Sequence, residues 1–175
     1  MLPVLSAEDF GKLFTTYERS AWRLETFPVY AVHEEAEDLA RFLAGEQWPA
    51  DYTDDWIKMI AAHAASGRTM GRVHALRLPL SDYLRFEIFT GYVFTVKAGE
   101  DVRILDLDEH PTDLPNDFWI FDDRTVVGMT YGPNSEYVGA EILPESELPK
   151  YLAYRDAALA HAEPLTEFLN RASAD

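Results

Sequence analysis

Near the start of the chain, apolar residues recur at helical spacing. Phe10, Leu13, Phe14 and Tyr17 stand at i, i+3, i+4 and i+7, which predicts a helix with one buried face. Ser6, with Glu8 and Asp9 behind it, supplies an N-cap and acids for the first turn. Alternation then takes over. Trp22 and Leu24 against Arg23 and Glu25 predict a short strand, which Pro28 ends or confines to a sheet edge. Two more helices are expected. One runs from His33 to Ala44, with Ala36, Leu39, Ala40 and Leu43 inward. The other starts at Thr53, turns Trp56, Met59, Ile60 and His63 inward and stops at Gly67.

Thr69–Leu78 reads as a strand with Val73 and Ala75 on one side and Arg72, His74 and Leu76 on the other. After Pro79, Ser81 caps a helix over Asp82–Phe89, and Thr90–Val96 is apolar and β-prone. From there the pattern is a meander. Val102–Leu107, Phe118–Phe121, Thr125–Tyr131 and Tyr137–Leu143 are expected strands, and the tight turns among the later ones require antiparallel pairing. Glu147–His161 is a long helix, and Leu165, Phe168 and Leu169 mark a short one after Pro164. Helices at both ends and strands between them predict an α+β fold. It is a single domain over 1–175, with an antiparallel sheet over roughly residues 70–143 flanked by N-terminal and C-terminal helices.

Charge narrows the function classes. The formal net charge is −16, which disfavours direct binding to nucleic acid or to an anionic membrane surface and favours a basic partner. The charge is uneven: residues 68–103 sum to +2, between flanks of −7 and −11. There are no cysteines, so disulfides and thiolate chemistry are excluded. The first residues lack the basic and apolar regions of a signal peptide, and no apolar run is long enough to span a bilayer, so a cytoplasmic protein is expected.

No phosphate-loop glycine pattern and no G-x-S-x-G elbow occurs. The five histidines have no metal-binding spacing, so neither a metal nor a cofactor is expected. The Asp106–His110 run carries oxygen ligands for a hard cation but reads more simply as a solvated loop. Asp122-Asp123 reads as a hairpin turn rather than an acid–base pair. What remains is the arginine-bearing centre. Arg72, Arg77, Tyr83, Arg85 and Glu87 fall within sixteen positions, and Arg23 and Glu25 join them if the two strands lie side by side. Arginine forks bind carboxylate or phosphate bidentately, and Tyr83 adds a hydroxyl and a stacking face. The same residues also suit internal ion pairs linking sheet and helix.

Four ordered stretches carry a resemblance: WRLETFPVY at 22–30, PLSDYLRFE at 79–87, GEDVRIL at 99–105 and DFWIFDD at 117–123. They resemble an actinobacterial domain-of-unknown-function family whose members are encoded near helix-turn-helix regulators. The resemblance implies an accessory or regulatory role through contact with such a regulator. The alternative is an enzyme or ligand-sensing domain holding a small anion at the arginine cluster.

Overall fold

A computed structural model describes residues 3–172. Helix α1 (Ala7–Thr16) forms where the periodicity placed it, and the Ser6 hydroxyl accepts from the Asp9 amide at its start. Strand β1 (Ser20–Glu25) follows, then helices α2 (Ala36–Leu43) and α3 (Asp55–Ala65) and strand β2 (Thr69–Leu76). Next come α4 (Asp82–Glu87), a π turn over Ile88–Tyr92 and α5 (Val93–Ala98). Strands β3 (Asp101–Asp106), β4 (Phe118–Phe121), β5 (Thr125–Tyr131) and β6 (Tyr137–Ile142) lead into helix α6 (Leu148–His161). A two-residue strand β7 (Glu163–Pro164) and helix α7 (Leu165–Ala172) complete the described chain.

The sheet has seven strands in the order β6-β5-β4-β1-β2-β3-β7. This overturns the expected antiparallel sheet of residues 70–143. Its central strand is β1, which the sequence left outside that span, and β1, β2 and β3 run parallel. Only the β4–β6 wing and the short β7 are antiparallel to their neighbours. The α+β character holds.

Parallel neighbours need a crossover of a dozen or more residues; the segment carrying α2 and α3 provides one between β1 and β2, and Asp82–Ala98 provides one between β2 and β3. The β-prone stretch Thr90–Val96 is helical because Ile88, Tyr92 and Thr95 repeat at helical spacing and are all buried. Gly99 ends this helix at φ +117°, a conformation that costs glycine little.

Both sheet faces are covered. On one, Leu24, Val73, Leu105 and Phe118 pack beneath Tyr151, Leu152 and Leu159 of α6. On the other, Ala21, Met70, Trp119 and Phe121 meet α1 and α3, while Val102 and Ile104 meet α4, α5 and α7. Each fully buried leucine or phenylalanine contributes about 1.5–3 kcal/mol. Between the α1–α3 cluster and the α4–α5 cluster, the second face carries polar side chains instead.

Candidate functional site

The polar segment follows from strand register. β1 pairs β2 with Arg23 opposite Arg72 and Glu25 opposite His74. Alternation therefore sends all four side chains to the same face of two adjacent central strands. In sequence these were two i, i+2 polar pairs some fifty residues apart, and pairing makes them one patch.

Buried ion pairs hold the patch together. Glu25 lies 2.9 Å from Arg23 through one oxygen and 3.1 Å from Arg72 through the other. Arg72 Nε donates to Glu100 at 2.6 Å, from the residue just before β3. Arg23 donates to the Tyr131 hydroxyl at 3.2 Å and stands 3.6 Å from Asp117, which accepts from the Thr26 amide and the Tyr30 hydroxyl. Each guanidinium also lies over a ring, Arg72 over Tyr92 at 5.0 Å and Arg23 over Trp119 at 5.6 Å. Burial disfavours charge on Glu25, but Arg23 and Arg72 outweigh it and hold the carboxylate well below its ordinary pKa.

His74 is wholly buried beside Glu25. Its Nε2 faces the Phe27 carbonyl at 2.9 Å and must donate to it. Its Nδ1 lies 2.8 Å from the Tyr92 oxygen, whose own proton goes to Glu25. With the Tyr92 proton on Glu25, both ring nitrogens face accepting oxygens, an arrangement that suits an imidazolium. The pKa agrees: burial opposes the charge, and the hydrogen bond and charge of Glu25 outweigh it and raise the value. Glu87, from the end of α4, stands 3.7 Å from Nδ1 with its buried Oε2 lacking a hydrogen-bond partner. Burial and the charge of Glu25 push Glu87 up to about 7.

Ligand atoms of Glu25, His74 and Glu87 all lie within 4.8 Å of one another, a spacing that fits a metal ion. The hydrogen bonding argues otherwise. Glu25 is engaged by two guanidiniums and Tyr92, and both ring nitrogens of His74 already have hydrogen-bond partners.

A cavity of about 480 Å³ opens above this patch. Arg23, Arg72 and Glu87 border it at the sheet, and Trp48, Tyr52, Trp56 and Trp119 are among its aromatic walls. A hollow of about 210 Å³ shares Arg23, Glu35 and Glu87 with it. In the smaller hollow the Tyr83 hydroxyl donates to Glu35 at 2.7 Å.

Of the residues expected from sequence, Arg23, Glu25, Arg72, Tyr83 and Glu87 converge here. Arg77 and Arg85 do not. Arg77 is exposed and paired with Asp108, and Arg85 is exposed and 3.4 Å from Asp82 on its own helix. Arg77 has the opposite strand parity to Arg72. Sequence reasoning missed Glu100, Asp117, Tyr92 and the role of His74. A cue for His74 was its place on the Arg72 face of the predicted strand. Glu100 and Asp117 sit just before strands, where nothing local sets them apart. The two acidic runs are structural: Asp106 accepts from the Asp108 amide at 2.9 Å, and Asp122 accepts from the amides of Glu18, Arg19 and Ser20 at 2.7–3.0 Å.

The fold and site thus define a mixed-sheet domain with a polar-floored, aromatic-walled cavity on one face. Residues 8–170 match the model of a family described as a domain of unknown function (DUF6879), and the chain belongs to that family. Among solved structures, it is similar to the phosphatidylserine synthase of Haemophilus influenzae Rd KW20, with a TM-score of 0.47 and 11% identity. That similarity covers 91% of this chain and only 37% of the synthase chain. No curated protein matches. Among the described residues, no helix is long and apolar enough to cross a membrane.

Proposed function

We propose that this chain is a ligand-binding domain whose 480 Å³ cavity takes a small organic molecule with an aromatic or apolar body and a polar head. The observation that supports it is the pairing of aromatic walls with buried charged groups at one end, the usual composition of a small-molecule site. The charged groups hold one another in place, which suits binding and orientation.

Gly91 supplies the test. It lines the cavity, and a Cβ added there meets nothing within 4 Å. Gly91→Leu is therefore expected to occupy part of the cavity without a clash at its Cβ. Native mass spectrometry of protein gently isolated from its host is expected to show a retained small molecule, absent from Gly91→Leu at an unchanged melting midpoint. Retention by both proteins, or by neither, refutes the reading.

A second reading, contact with a helix-turn-helix regulator in the cytoplasm, is supported by the −16 charge and by two exposed valines, Val29 and Val32, the latter lining the smaller hollow. Val29→Lys together with Val32→Lys is expected to abolish binding to such a regulator in sedimentation velocity. Unchanged association counts against it.

A further inference from the structure

Resting on the pocket reading above, we infer that the ligand is an organic cation, an ammonium joined to an aromatic or apolar body, and not the small anion that two buried arginines first bring to mind.

The argument is a local charge balance. Anion recognition needs guanidinium N–H groups left over after internal pairing. Arg72 is committed to Glu25 and Glu100, and Arg23 to Glu25, Tyr131 and Asp117. Counting His74 with the two guanidiniums gives three basic groups in the patch, matched in number by Glu25, Glu100 and Asp117. No other lysine or arginine lines the cavity.

The remaining charged groups on its wall are acidic. Asp38 is paired with Arg41 at 2.8 Å. Glu35, Asp54 and Glu87 also line it, and among the described residues none of the three pairs with a lysine or arginine. Glu35 accepts only from a tyrosine, and Asp54 caps α3 through the Ile57 amide. Glu87 stands 3.7 Å from His74 through its buried Oε2, which has no hydrogen-bond donor.

The rings point the same way. Trp48, Tyr52, Trp56 and Trp119 surround the space, and tryptophan faces are the best aromatic partners for a cation. The protein already uses this contact for itself, with Arg23 over Trp119. A carboxylate or phosphate in the same space would meet aromatic side chains and the acidic groups of Glu35, Asp54 and Glu87, which disfavour it.

The test uses two probes of the same shape and opposite charge, phenethylamine and 3-phenylpropionate, with inorganic phosphate as a third. Isothermal titration at low salt and pH 8, where Glu87 is ionised, is expected to show the amine binding at least tenfold more tightly than the acid, with no heat from phosphate. Glu87→Gln, which keeps shape and removes the charge, is expected to weaken the amine about tenfold while the melting midpoint does not fall. Gly91→Leu abolishes amine binding. Tighter binding of the acid or of phosphate overturns the cation assignment and leaves the pocket reading standing. No binding of the amine, or equal binding by Glu87→Gln, overturns the assignment as well. Whether a molecule is retained from the host then decides the pocket reading separately.

Discussion

Glu87→Gln should make the protein more stable, and the gain should depend on pH. The carboxyl is raised from 4.5 to about 7 by burial first and then by the negative charge of Glu25, against partial relief from His74, Arg72 and Arg23. A raised acid binds its proton more tightly in the folded state than in the unfolded one. Its contribution is therefore fully present below about 4.5 and is lost as pH rises through about 7. At 1.36 kcal/mol per pKa unit, ionising Glu87 at pH 8 costs the native state roughly 3 kcal/mol. The side chain is 17% exposed, so solvent screening reduces this only modestly. Glutamine carries no proton to lose. The stability difference between Glu87→Gln and the parent should grow by roughly 3 kcal/mol between pH 4.5 and pH 8, or roughly 6–12 °C in melting midpoint for a chain of this length. Urea titrations at half-unit pH steps measure it. Taking the difference between two proteins cancels the titrating groups that do not interact with Glu87. A difference that stays flat across this range would mean that Glu87 titrates like a surface carboxylate, and the reasoning about its surroundings would fail.

Arg72→Met should destabilise by about 3–5 kcal/mol, because it leaves Glu25 and Glu100 buried beside one guanidinium fewer; adding Glu100→Gln should recover part of the loss in denaturant titrations. Arg77→Ala and Arg85→Ala should each move the melting midpoint by less than about 2 °C, since their ion pairs are exposed; a larger shift in calorimetry would show that they support the site after all. Asp122→Ala should cost roughly 2–3 kcal/mol by freeing three backbone amides between α1 and β1, and faster amide exchange at Glu18, Arg19 and Ser20 would locate the damage. Acid should unfold the parent as well. Glu25 is held low despite its burial, so its stabilisation is present above about 4.5 and is lost as pH falls below it, which circular dichroism in acid should register.

Much of this was legible locally. The helical spacing of Phe10, Leu13, Phe14 and Tyr17 and the cap at Ser6 both appear in α1. The alternation at Trp22–Glu25 became β1, and the tight turns of residues 118–142 became antiparallel pairs. These features depend on neighbours within a few positions, and periodicity reports such neighbours well. The stretch from Thr90 to Val96 failed for the opposite reason. Its β-branched and aromatic residues suit a strand, and the two helical faces they could form were chosen by what lay beneath them: β3 and α7.

The site divides in the same way. Residue types alone placed arginines, acids and tyrosines in the middle of an acidic chain, and the parity of Arg72 and His74 put those two on one face. Strand order decided the rest. Only the parallel pairing of β1 with β2 sets Arg23 beside Arg72 and Glu25 beside His74, and only the return of the chain before β3 and β4 delivers Glu100 and Asp117 to them. Sequence determines which groups a strand can present to a face. Which faces meet is set by long-range burial, and that meeting turned the arginines from free anion receptors into neutralised partners and placed Glu35, Asp54 and Glu87, without lysine or arginine partners, along the cavity.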